Sequence, residues 1–155
     1  MYLTNESQFF LLPPSGIEKS MDMPQQLTAS YGGSDYFVNS WLKADETGIE
    51  MSLFSDFGTN LAELTYREGE ISFSSLVLPK SLKPEYIVAD LQLCFYKPAL
   101  LGPALQQCGL VLETPGNKRR ILKGNDLIIE IEKSQTTVKL VNHLRGYTYT
   151  VEGEF

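Results

Sequence analysis

The chain has 155 residues, the size of one domain that can bury roughly two thirds of its unfolded surface without disulfides or metals. With 43% hydrophobic and 21% charged residues it lies outside the range of disordered chains. A net charge of −6 argues against a nucleic-acid partner, because phosphate binding needs a basic surface that releases counterions, and gives little attraction to anionic membrane faces.

Residues 1–24 have no sustained period, contain Pro13-Pro14-Ser15-Gly16 and end at Pro24. They read as an extended N-terminal leader or tether, pinned to the body by Phe9, Phe10, Leu11 and Leu12. No run approaches the roughly 18 to 20 apolar residues that span a bilayer, and no cationic stretch followed by an apolar one marks a signal peptide at Met1, which taken literally reads as cytoplasmic.

From Gln25 the period is two, so residues 25–155 are expected to form a single β domain. Gly32-Gly33 reads as a turn or bulge. In Tyr36 to Lys43, Val38 and Leu42 fall on one face and Phe37 and Trp41 on the other, the pattern of a strand covered on both sides. Glu46-Thr47-Gly48 supplies a turn, after which Ile49, Met51 and Leu53 alternate with polar residues. Phe57 to Asn60 breaks that strand, Leu61 to Tyr66 forms the next, and Arg67-Glu68-Gly69 turns the chain into Ile71 to Ser75.

The character changes between Pro79 and Gly109. Pro84 and Glu85 open a segment whose Ile87, Val88, Leu91, Cys94 and Phe95 recur at helical steps. Pro98 stops this helix, Pro103 suits the first turn of a second and Gly109 its cap, giving a helical insert over about residues 83–108. Alternation returns in Leu110 to Glu113, Arg119 to Leu122, Leu127 to Glu132, Val138 to Asn142 and Tyr147 to Glu152. Lys118-Arg119-Arg120 reads as a solvated turn or strand edge. About nine or ten strands around one helical hairpin predict a mainly β (α+β) fold, a curved antiparallel sheet forming an unclosed barrel, since a flat sheet that long would leave an apolar face wet.

Catalytic chemistry is poorly supplied. The single histidine, His143, lies in Asn142 to Gly146, which reads as an exposed hairpin tip, and no G-x-S-x-G elbow accompanies it. Asp45/Glu46 and Glu130/Glu132 read as polar strand faces and turns, and Gly32-Gly33 precedes a strand rather than the helix a phosphate loop needs. Cys94 and Cys108 lack metal or redox spacing. They are either two buried thiols or a disulfide closing a loop of roughly 15 residues, worth about 3 kcal/mol. No metal site and no cofactor are indicated.

The distinctive feature is the apolar inventory, with eight Phe and eight Tyr. An empty cavity of about 300 Å³ would cost on the order of 7 kcal/mol, so an unfilled concave side would be collapsed, wet or occupied, and acyl chains suit such a space. The candidate lining residues are Trp41, Met51, Leu53, Phe73, Leu127, Ile129, Ile131, Leu140 and Tyr149.

Leu78-Pro79, Lys83 to Leu93 and Tyr96-Lys97-Pro98 form one recognisable stretch, with Arg119 to Leu122 and Gly124, then Val138 to Asn142 followed by Gly146-Tyr147, and the early Leu12 to Gly16. Together these resemble a family of bacterial outer-membrane lipoproteins of unknown function, similar in fold to the LolA/LolB lipoprotein carriers. The resemblance implies an apolar interior around a helical plug, a lipid or lipoprotein acyl chain or aryl-polyene lipid as ligand, and residence at the periplasmic face of the outer membrane. It also implies a lipobox cysteine carrying an N-terminal lipid anchor, which this sequence lacks. The expected function is a non-enzymatic carrier of an apolar ligand; the alternative is an envelope assembly protein that binds a protein partner through Phe9 to Leu12 or a sheet edge. An enzyme acting on a lipid-linked substrate, with His143 as base, is the third.

Overall fold

The computed structural model describes residues 1–76 and 83–155. Among the described residues, alternating sequence yields ten antiparallel strands: β1 Met21–Tyr31, β2 Ser34–Asp45, β3 Gly48–Phe54, β4 Asn60–Arg67, β5 Glu70–Ser75, β6 Val111–Glu113, β7 Lys118–Lys123, β8 Asp126–Lys133, β9 Thr137–Asn142 and β10 Tyr147–Glu152. Two helices, α1 Pro84–Phe95 and α2 Pro98–Gln107, lie between β5 and β6. The order β5-β4-β3-β2-β1-β10-β9-β8-β7-β6 makes one sheet of two meanders joined where β10 pairs with β1. Its edges, β5 and β6, remain unpaired with each other, so the barrel is not closed, as the sequence predicts. The expected opening of the helical section at Leu78-Pro79 lies outside the described residues.

Two-residue turns set the β1–β2, β2–β3 and β4–β5 registers of the first meander. Gly32 and Gly33 both have positive φ (60° and 81°), the conformation that joins twisted strands most directly, and they connect Tyr31 to its partner Ser34. One core follows from the resulting faces. Leu42, Ile49, Leu64 and Tyr66 from one meander and Ile121, Ile131, Val138 and Leu140 from the other pack with Val88, Ala89 and Leu93 of α1 and Leu101 and Leu105 of α2.

The first twenty residues belong to this core rather than trailing from it. Leu3, Phe9 and Ile17 are buried, whereas Phe10 stays exposed. The Gln92 amide on α1 grips the Leu12 backbone in both directions, donating to its carbonyl at 2.8 Å and accepting its N–H at 2.9 Å, while the Tyr66 hydroxyl donates to the same carbonyl. Strand β1 begins at Met21, so Pro24 lies inside a strand, outside the stretch Gln26–Tyr31 that pairs with β10.

Pro103 also differs from expectation, lying within α2, whose first residue is Pro98. The missing N–H leaves the Ala99 carbonyl without a helical donor, but both residues are exposed, so water can serve it.

The carbonyls at the C-terminal end of α1 are all taken. Lys97-Pro98 prevents the helix from continuing, and the freed groups need donors from elsewhere. Tyr96 N–H serves the Gln92 carbonyl, Glu18 N–H serves Phe95, and Lys133 Nζ donates to the Cys94 carbonyl at 2.9 Å. Arg119 Nη1 donates to the carbonyls of Leu93 (2.9 Å) and Tyr96 (2.7 Å), and its Nη2 bonds the Glu18 carboxylate at 2.9 Å. The basic cluster is thus split by strand alternation. Lys118 and Arg120 pair with Glu130, while Arg119 is buried, with its cation at the negative end of the helix. Replacing Arg119 with Met should lower the unfolding free energy by about 3 kcal/mol, because several buried acceptors lose their donor. Urea unfolding checks this; a loss below about 1 kcal/mol would contradict the assigned role.

Candidate ligand trough

Pairing defines which residues share the concave face with the helices. One row runs Phe73, Leu64, Met51, Leu42 and Met23 across β5 to β1. A second runs Val38, Leu27, Val151 and Val138, and a third Tyr36, Ala29, Tyr149, Leu140 and Ile131. Seven of the nine sequence-predicted lining residues, Met51, Leu53, Phe73, Ile129, Ile131, Leu140 and Tyr149, fall on this face.

The other two do not. Trp41 pairs with Pro24 on the convex face, is 47% exposed and donates its indole N–H to Asp22 at 2.6 Å. Leu127 is turned away because the register slips beside it: Ile121 pairs with Ile129, but the next residue, Leu122, pairs with Leu127. The extra residue, Ile128, enters the core in its place.

Burial divides the seven. Ile129, Ile131 and Leu140 are fully enclosed by the helical plug and belong to the packed core. Met51, Leu53, Phe73 and Tyr149 are only half-buried. The sequence reading missed the residues that join them, Leu27, Ala29, Val38 and Val151, all half-buried on the concave face. The period-two run Gln25, Leu27, Ala29 was the available signal for the first two. Ile87 and Leu91 of α1, one turn apart, pack half-exposed against the same core. The concave face therefore carries an apolar trough that the helices cover incompletely.

The trough has a closed and an open end. Toward Met21, Ala44, Ile49 and Tyr66 it is sealed by the N-terminal segment and the end of α1. Toward the β1–β2 turn burial falls away, and hairpin register brings exposed Tyr31, Tyr36, Phe37, Phe57 and Leu144 to that same rim, Phe57 at 97% exposure. A cleft of about 390 Å³ lies at the sealed end, lined by Glu18, Lys19, Met21, Phe95, Lys133 and Phe155 among others. Lys133 is committed to the α1 terminus and lies over the Phe95 ring, which stacks on Phe155.

Cys94 and Cys108 are free thiols, so the disulfide alternative does not hold. Cys94 faces the core, where burial pushes its thiol up to about 12, and Cys108 ends α2 with its Sγ on the Leu105 carbonyl. His143 is exposed in the β9–β10 turn, and among the described residues no three His, Cys, Asp or Glu side chains converge as metal ligands.

One carboxylate is buried against the open half. Asp90 of α1 is 7% exposed and accepts the Tyr147 hydroxyl at both oxygens, 2.9 and 3.2 Å. Burial pushes its carboxyl up to about 7, against the lowering effects of the Tyr147 hydrogen bond and the Arg145 charge. The folded protein holds this proton more tightly than the unfolded chain, so the associated stability is greatest in acid and is lost as pH rises from the ordinary carboxylate range through about 7.

A family profile described as a protein of unknown function (DUF3261) matches residues 22–153, which span the sheet from the second residue of β1 to the residue after β10. No curated protein matches the chain. An Asp90→Asn variant should gain about 2 kcal/mol relative to wild type between pH 5 and pH 8. Paired urea titrations check this, and a difference that is constant with pH would contradict it.

Proposed function

The chain belongs to the DUF3261 family of proteins of unknown function, and we propose that it is a non-enzymatic carrier of an apolar, acyl-bearing ligand in the bacterial cell envelope. The observation that supports this reading is the half-covered trough, whose Leu27, Val38, Met51, Leu53 and Phe73 are apolar, concave and only half-buried. Water against such a strip is unfavourable. An acyl chain of ten methylenes would gain about 8 kcal/mol gross at roughly 0.8 kcal/mol each, before the cost of association. The resemblance to outer-membrane lipoproteins and LolA/LolB carriers supports the same reading, and the proposal includes a location at the periplasmic face of the outer membrane with an N-terminal lipid anchor.

A second reading, an assembly protein that binds an envelope partner, is favoured by the rim. Phe37 and Phe57 are large, exposed and at one end of the sheet, as the apolar centre of a protein interface would be. In that case Phe37→Ser/Phe57→Ser would abolish partner capture from envelope extracts and leave acyl binding unchanged.

The carrier reading predicts that saturating methyl decanoate raises the melting temperature by about 5 to 10 °C. Leu53→Trp, which fills the trough, should remove that shift while leaving the ligand-free protein folded. Thermal unfolding followed by circular dichroism decides it; a wild-type protein unmoved by saturating ligand would contradict the reading.

A further inference from the structure

The face that carries the trough contains one polar pair out of keeping with its surroundings. Gln25 on β1 is 5% exposed and sits directly opposite Ser40 on β2, itself buried. The Ser40 hydroxyl meets the Gln25 amide oxygen at 3.4 Å, a long contact, and the amide Nε2 is buried without a partner. A hydroxyl can donate or accept, so whichever way the amide is turned, one of its polar ends stays unsatisfied. Burying such a group unpaired costs on the order of 1 to 3 kcal/mol, and a Met at this position would avoid that cost.

The position of the pair points to what would complete it. Leu27, two residues on, Val38, two residues back on β2, and Leu53, the β3 partner of Ser40, are all half-buried, whereas Met21 and Ala44 beyond the other side are sealed. The pair therefore lies within the half-buried strip, one row nearer the open rim than Met23, Met51 and Phe73. Met23, Leu27, Val38 and Leu53 carry no charge, so an ionised carboxylate bound there would be uncompensated, while a neutral carbonyl oxygen could accept the free N–H once the side chains that enclose it shift.

We propose that the Gln25–Ser40 pair is the recognition point for the carbonyl of an ester- or amide-linked acyl chain lying in the trough. This inference rests on the carrier reading and names the ligand class of the same site. Gln25 donates to the carbonyl oxygen, Ser40 orients the amide, and the chain extends along Leu27, Val38 and Leu53 toward the open rim.

The test compares methyl decanoate, dodecane (a chain of equal length without the carbonyl) and ionised decanoate, each displacing bound 1-aminoanthracene, in wild type and in Gln25→Met, with Gln25→Leu as a second variant. Wild type is expected to prefer the ester over the alkane by about tenfold, equivalent to one net hydrogen bond. It should prefer the ester over ionised decanoate as well. Gln25→Met should bind ester and alkane alike, and its ligand-free melting temperature should equal or exceed that of wild type. A variant that keeps the ester preference, a sharp fall in its ligand-free melting temperature, or decanoate binding as tightly as the ester would overturn the assignment. Equal binding of ester and alkane by wild type would sink this inference alone, and failure of every probe to bind would sink the carrier reading with it.

Discussion

The fold depends on the way the C-terminal end of α1 is held. A helix placed inside a curved sheet must bury its last carbonyls, and there no solvent can satisfy them. Here Lys97-Pro98 forbids continuation, and the acceptors are met by Arg119 from β7, Lys133 from β8 and the backbone of the N-terminal segment at Glu18. Both cations come from the second meander, while the first meander holds the other side through Tyr66 and the Gln92–Leu12 clamp. The two halves of the sheet thus meet through the helix they enclose as well as through the β1–β10 pairing.

That anchoring makes the molecule asymmetric. At one end the N-terminal segment and the end of α1 pack over the concave face and bury Met21, Ala44, Ile49 and Tyr66. At the other end α1 approaches the sheet through Asp90 and Tyr147, a polar contact in a shortage of apolar partners, and the strip from Phe73 to Tyr149 remains half-covered. Burial raises the Asp90 carboxyl, so the folded state as a whole is favoured more in acid than at neutral pH.

The strands, turns and helices were legible because their periods are unambiguous: the ranges of β3, β9 and β10 follow directly from alternation, and Pro84 opens α1 as its position suggests. The errors share one physical origin, that local patterns do not state which face is inside. Both faces of β2 are apolar, so Trp41 and Leu42 were equally eligible, and only the pairing to β1 and β3 decides for Leu42. Leu127 keeps the parity of Ile129 and Ile131 in sequence, but a bulge at Ile128 reverses it. Arg119 looked solvated because nothing local reveals a helix terminus 26 residues away. The N-terminal segment looked like a tether because its contacts, Gln92 and Tyr66, are distant in sequence and invisible to periodicity.

The proposed carrier role rests on a concave apolar strip with an unsatisfied amide within it, a packed floor behind and an aromatic rim in front. The proposed role requires an acyl chain to lie between α1 and the sheet, not on the exposed rim. The most direct measurement is a set of intermolecular nuclear Overhauser contacts between methyl decanoate and the methyl groups of the isotope-labelled protein. The account predicts contacts to Leu27, Val38, Met51 and Leu53; contacts confined to Leu76, Leu100 or Leu144 on the surface would contradict it.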